Sequence, residues 1–163
     1  MRLIFAFLFL VTISPFITFA QDESPDSLLN VKISTAAKYW QTTNEAPASV
    51  TIVTSRDIER YGYKTLADVF NAERGFYTSY DRNYEYVGVR GFSRPTDYND
   101  RILLLINGHK MNENIYGSAG FGTDFTLSLE SIERIEIVRG PGSSLYGTGA
   151  MFAVANVITK KGN

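Results

Sequence analysis

The chain of 163 residues contains no cysteine and a single histidine, His109. The first absence excludes disulfides, thiol catalysis, Cys-ligated zinc and the acylated N-terminal cysteine of a bacterial lipoprotein. The second leaves no histidine cluster for a metal and no Ser-His-Asp set, and one imidazole beside a turn is more often solvated than a ligand. An excess of charge is missing too: 16 Lys and Arg stand against 17 Asp and Glu. No run of basic residues forms the stripe that counterion release on nucleic acid requires, so nucleic acid is not expected as a partner. Asp97, Asp100 and Asp124 lack calcium-loop spacing. No metal site, cofactor or catalytic residue is assigned, and an enzyme is rejected.

A long apolar run occurs only at the start. Arg2 supplies a positive n-region, Leu3 to Ile13 has the length of an h-region, and Thr18-Phe19-Ala20 offers small residues where a signal peptidase reads. A membrane span needs about 20 uninterrupted apolar residues, and Ser14-Pro15 breaks this one. Residues 1–20 are therefore expected to be a signal peptide, cleaved before Gln21. Gln21 to Ser27 is acidic and broken by Pro25, which suits a flexible leader. In Leu28 to Ala36, Leu29, Val31 and Ile33 alternate with Asn30, Lys32 and Ser34, the period of a strand with one apolar face and no evident hairpin partner. Such a segment suits addition to the sheet edge of another protein, or equally an edge strand of its own domain.

The folded region opens near residue 46. Ser49 to Thr54 is β-branched. Ser55 is positioned to cap a helix that ends at Gly62, and Thr65 to Asp68 opens a second helix with Gly75 as its C-cap. Tyr86 to Val89, Ile102 to Ile106, Glu133 to Arg139 and Val154 to Thr159 read as strands, the second apolar on both faces and so central, with Asn107-Gly108 as its turn. Between them lie polar, Tyr-rich loops at Tyr80 to Tyr84, Phe92 to Asp100 and Lys110 to Gly122. The pattern is that of a small α+β domain with a mixed sheet, short helices and long loops. The Gly-rich stretch Arg139 to Gly147 follows a strand, yet it lacks both the Walker Lys-Ser/Thr pair and the dinucleotide spacing.

Five ordered blocks, APASVTIVTSRDIERYG, VGVRGF, ILLLINGHKMN, ERIEIVRGPGSSLYGTGA and NVITKKG, resemble the plug domain of TonB-dependent outer-membrane receptors across residues 46–163. Asn107-Gly108 stands where the family more often has Asp-Gly, and Phe152 to Ala155 precede Asn156 where paired glycines are common. The resemblance implies a plug filling a β-barrel, and it implies three sets of contacts. Leu29, Asn30, Val31, Lys32, Ile33, Ser34 and Thr35, within a leader at 21–45, would be the TonB box captured by TonB. Tyr80, Arg82, Arg94, Tyr98, Asn114 and Tyr116 would sit on apical loops facing a small nutrient complex such as a ferric siderophore or cobalamin. Arg90 and Arg139 would contact acidic residues of the barrel, or, where no barrel is present, would be exposed or pair locally, for example with Glu133 or Glu136. A barrel of about 22 strands needs roughly two hundred residues or more, so it is expected outside this chain. Two contexts follow: a truncated or split receptor, placed in the outer membrane, or a free-standing periplasmic module that binds ligand or TonB without transport. N-terminal sequencing of the exported protein should begin at Gln21; a protein that keeps Met1 to Ala20 would overturn the signal-peptide reading.

Overall fold

The computed structural model describes residues 32–46, 49–94 and 96–162. The expected signal peptide, the acidic leader and Leu29, Asn30 and Val31 lie outside the described residues. Along the chain the elements are β1 (Lys32–Ile33), β2 (Gln41–Thr42), β3 (Ser49–Thr54), α1 (Ser55–Tyr61), α2 (Leu66–Ala72), β4 (Phe76–Tyr80), β5 (Glu85–Val89), β6 (Ile102–Ile106), β7 (His109–Lys110), a 3-10 turn at Leu129–Ser131, β8 (Ile132–Arg139), α3 (Ser143–Tyr146) and β9 (Ala153–Thr159). The main sheet has the order β3-β8-β9-β6-β7, and β1-β2 and β4-β5 form separate two-stranded ribbons. Within the main sheet β9 runs antiparallel to β8 and parallel to β6, with Ala155 opposite both Ile137 and Leu104. The domain is therefore α+β with a mixed sheet, as the sequence implies.

The period of 2 along a strand sends alternate side chains to opposite faces, and here both faces are covered. Ile102, Leu104, Ile135, Ile137, Ala153, Ala155 and Val157 pack into one cluster with Ile58, Leu66, Val69 and Phe70 of the two longer helices. Leu103, Leu105, Val138 and Val154 turn the other way and pack against Ile33, Ala36 and Ala150, with Tyr146 at the margin. That second cover explains why β6 is apolar throughout. Within the first cluster Phe70 meets Phe76 and Phe121 edge to face, each at 5.0 Å, tying α2 to β4 and to the loop before β8.

Local chemistry sets the helix ends. In α1 the cap is Thr54, one residue before the expected Ser55, because the carboxylate that completes the box, Asp57, stands three residues after Thr54. The Thr54 amide donates to Asp57 Oδ2 at 2.9 Å and the Asp57 amide to Thr54 Oγ1 at 3.3 Å. Gly62, with φ of 68°, closes this helix as expected. Thr65 and Asp68 repeat the box for α2. That helix ends at Glu73 rather than at Gly75, whose φ of 86° instead serves the turn into β4.

The segment around β1 is not isolated. Lys32 and Ile33 pair with Thr42 and Gln41, and Ile33 is fully buried. Its partner escapes the sequence pattern because Gln41–Thr42 is only two residues long and polar. The ribbon β4-β5 is likewise half hidden from sequence, since Phe76–Tyr80 places one residue of five in the core. Phe70→Ala removes the shared partner of two aromatic contacts. It should lower unfolding stability by about 3–5 kcal/mol in chemical denaturation, and a loss below about 1 kcal/mol would contradict the packing described.

Candidate functional site

Three connections converge beside the sheet: the β4-β5 turn, the stretch between β5 and β6, and the stretch from Met111 to Ser128. Their backbones leave the ladder, so their amides and carbonyls need other partners. Two buried asparagines provide them. Asn99 Oδ1 accepts the Val87 amide at 2.8 Å, and its Nδ2 donates to the carbonyls of Glu85 at 2.9 Å and Ala119 at 3.0 Å. Asn112 Oδ1 accepts the Leu104 amide at 2.8 Å, and its Nδ2 donates to the carbonyls of Ile102 at 3.0 Å and Gly117 at 2.8 Å. Each asparagine thus pins a loop to a strand.

Two carboxylates shape the loop tips. Asp81 Oδ1 accepts the amides of Tyr84 and Asn83, and Oδ2 accepts the Tyr86 hydroxyl at 2.8 Å. Glu113 accepts the amides of Ile115 and Tyr116 in the same manner. The amides around Asp81, that of Tyr84 foremost, hold its carboxyl below the usual range, and the hydrogen bond from the Tyr86 hydroxyl to Asp81 pushes the Tyr86 phenol up to about 12. Backbone strain gathers nearby. Thr96, Tyr98 and Asn99 have φ of 98°, 50° and 63° without being glycine, a conformation that persists where neighbouring contacts over-determine it. The bonds of Asn99, with the Ala119 amide donating to the Tyr98 carbonyl at 3.0 Å, do so here.

The result is a pair of adjoining clefts. The first, about 430 Å³, is lined by Tyr84, Glu85, Tyr98, Asn99, Tyr116 and Asp124 among others. Tyr84 and Tyr98 meet edge to face at 5.2 Å. Burial, reinforced by the charges of Asp68 and Asp124, pushes the Glu85 carboxyl up, and its Oε2 is buried without a hydrogen-bond partner. No Lys or Arg is among the residues lining this cleft. The second, about 380 Å³, carries Arg101 and Lys110 together with the carboxylates of Asp100 and Glu113, beside Asn114, Ile115 and Tyr116, and Arg101 lies 3.7 Å from Asp100 and 3.9 Å from Asp97. Tyr116, 78% exposed, belongs to both.

Of the residues expected to face a ligand, Tyr98, Tyr116 and Asn114 are thus brought together. The others are not. Tyr80 ends β4 with its hydroxyl donating to the Arg82 carbonyl at 2.9 Å, Arg82 occupies the β4-β5 turn with φ of 81°, and Arg94 is exposed, its carbonyl accepting the Asp97 amide. Sequence reading passes over Glu85 and Asn99, which only the convergence of distant loops places in the cleft, and over Arg101 and Lys110. Among the described residues no group of acidic or histidine side chains is arranged to hold a metal ion.

The two Arg-Gly blocks differ. Arg90-Gly91 is a two-residue turn with φ of 53° and 84°, closed by hydrogen bonds between Val89 and Phe92 in both directions, and the Arg90 side chain is exposed. Arg139 donates to the Arg74 carbonyl at 2.7 Å. It does not pair with Glu133 or Glu136: Arg134 pairs with both, at 2.8 Å and 3.0 Å, and the alternation of β8 puts Arg139 on the opposite face from Glu136, toward α2. Burial pushes the carboxyl of Glu73 up, with the Arg139 charge opposing it.

Comparison with known proteins agrees with this architecture. Residues 42–154 match the family described as TonB-dependent Receptor Plug Domain, and the chain belongs to that family, whose relatives below are outer-membrane receptors. It is 31% identical over 147 residues to the iron-regulated outer membrane virulence protein of Vibrio cholerae serotype O1, covering 88% of this chain and 22% of that protein. It is 33% identical over 131 residues to the vitamin B12 transporter BtuB of Vibrio vulnificus, covering 78% of this chain and 20% of that one. The chain thus spans about a fifth of the length of these relatives. The crystal structure of the ferripyoverdine receptor of the outer membrane of Pseudomonas aeruginosa, bound to ferripyoverdine, superposes with a TM-score of 0.66 at 26% identity, over 86% of this chain and 18% of that one.

The turn at Asp81 makes a pH prediction. A carboxyl whose folded value is depressed contributes stability that is complete above its unfolded value and is lost as pH falls through the folded one. NMR titration of Asp81 should give a midpoint below the ordinary 3.8, with the amide shifts of Asn83 and Tyr84 following the same curve. A midpoint at or above 3.8 would remove the carboxylate's role in holding the loop.

Proposed function

We propose that this domain is the gate of a TonB-dependent receptor, reading a small nutrient complex with its loops and passing that event to TonB through its N-terminal segment. The observation that carries the reading is the pair of clefts sharing Tyr116, formed where two loops that Asn99 and Asn112 pin to the strands meet the β4-β5 turn. The phenols of Tyr84, Tyr98 and Tyr116 suit a flat or hydroxyl-bearing face of the ligand, and Lys110 suits its anionic groups. A ferric siderophore or cobalamin fits that description, as the names of the relatives do. Arg82 and Arg94 then act at the rim, and Tyr80 orders the β4-β5 turn. Exposed Arg90 and half-buried Arg139 face the acidic wall of a barrel.

In this reading residues 1–20 direct export, and the segment from Leu29 to Thr35, within a leader at 21–45, is the TonB box. Capture by strand addition depends on backbone pairing, which tolerates side-chain variation but not a missing amide. Titration calorimetry of the full chain with the periplasmic domain of TonB should show binding that Val31→Pro weakens about tenfold or more. Equal affinities for the two chains would eliminate strand addition at this segment.

A further inference from the structure

We propose that the first cleft is an aromatic cage for an organic cation: the part of the ligand that enters it carries a protonated amine. The proposal deepens the reading above by naming the chemistry of that ligand, and it rests on that reading only for the ligand's being a nutrient complex. Three phenols line the cleft, those of Tyr84, Tyr98 and Tyr116, and all three residues are exposed. The rings of Tyr84 and Tyr98 stand at 88° to each other with centres 5.2 Å apart, two walls that meet at a corner. The face of an aromatic ring is the negative side of its quadrupole, and it attracts a cation within about 6 Å of the ring centre.

Charge in the cleft has one sign. Glu85 and Asp124 line it, and no Lys, Arg or His does. Among the described residues neither carboxylate takes part in an ion pair. Gly122 stands between the two: its amide donates to Asp124 Oδ1 at 3.0 Å, and a methyl group on its Cα would stand 2.8 Å from Glu85 Oε2. The preceding Phe121, fully buried against Phe70, anchors that backbone in the core. Asp124 is exposed and Glu85 half-buried. Glu85 Oε2 has no hydrogen-bond partner, and a turn about the broad terminal torsion of the side chain presents it to the cleft. A buried acceptor left unpaired costs stability, and an incoming N–H donor offsets that cost. Burial, with the charges of Asp68 and Asp124, pushes the Glu85 carboxyl up, the direction set where negative charge gathers and no cation of the chain answers it. The neighbouring cleft holds both signs, Asp100 and Glu113 with Arg101 and Lys110, and does not share this preference.

NMR titration of the full chain with n-butylammonium and with 1-butanol, at matched ionic strength, isolates the charge because the two probes have the same shape. The ammonium should bind roughly tenfold more tightly, as a cation held by ring faces and a carboxylate implies, and should shift the amides of Ser118, Gly120 and Gly122. Glu85→Gln and Asp124→Asn should each reduce that preference, and Tyr116→Leu, which keeps apolar bulk without a ring, should reduce it too. The Val87 amide, held by Asn99, reports whether each variant is folded. Asp124→Asn, at an exposed position, keeps an acceptor for the Gly122 amide and carries the test if Glu85→Gln does not fold. A ferric trihydroxamate complex with a pendant ammonium group should bind more tightly than the same complex with that group acetylated. Equal binding of the two small probes or of the two ferric complexes, no binding of either small probe, or a preference that survives in every folded variant overturns the proposal. If the small amine is preferred and neither ferric complex binds, the cation site stands and the nutrient reading fails.

Discussion

Everything in this domain depends on the need to cover both faces of a three-strand apolar centre. β6, β8 and β9 bury nearly every side chain they carry, so a single layer of helices would leave Leu103, Leu105, Val138 and Val154 in water. α1 and α2 cover one face. The other is covered by a thin layer made from residues 33–36 and the short helix after the Arg139-Gly140 turn. Since apolar burial contributes in proportion to area, the two covers are unequal by construction. The thicker one anchors the fold, and the thinner one completes its burial.

The loops obey a second economy. The two longer ones are held at named points by side-chain amides that copy the hydrogen bonds of a strand, and the β4-β5 turn by the Asp81 carboxylate. Asn99 and Asn112 let the chain leave the sheet without stranding polar groups, and the bonds of Asn99 hold the strained backbone at Tyr98 and Asn99. Their positions give phenols to one cleft and charged groups of both signs, Arg101 and Lys110 with Asp100 and Glu113, to its neighbour.

The parts of this architecture set by local chemistry are legible in sequence. The run Ile102 to Ile106 announces a central strand, Asn107-Gly108 announces the tight turn, and Thr65 with Asp68 announces a helix start. What escapes is whatever depends on distant partners. Gln41–Thr42 has no strand pattern because its role is to pair with two residues. Phe76–Tyr80 shows one buried residue in five. The Thr54 cap is displaced by one residue because Asp57 selects its own partner three positions back. Tyr98, Asn114 and Tyr116 can be singled out as Tyr- and amide-rich loop residues. Glu85, Asn99, Arg101 and Lys110 become site residues only when loops far apart in sequence meet.

The placement of β9 has a consequence for how the domain comes into being. This strand sits between β8 and β6, and it is the last of the described strands in chain order. Until it arrives, β6 and β8 have no common neighbour, and the parallel pairing of β6 with β9 must close a loop of nearly fifty residues. Late, non-local pairing of this kind makes folding slow. A sheet whose centre is filled by the residues that follow all its other strands stays open until they are made, so its two halves cannot settle on each other early.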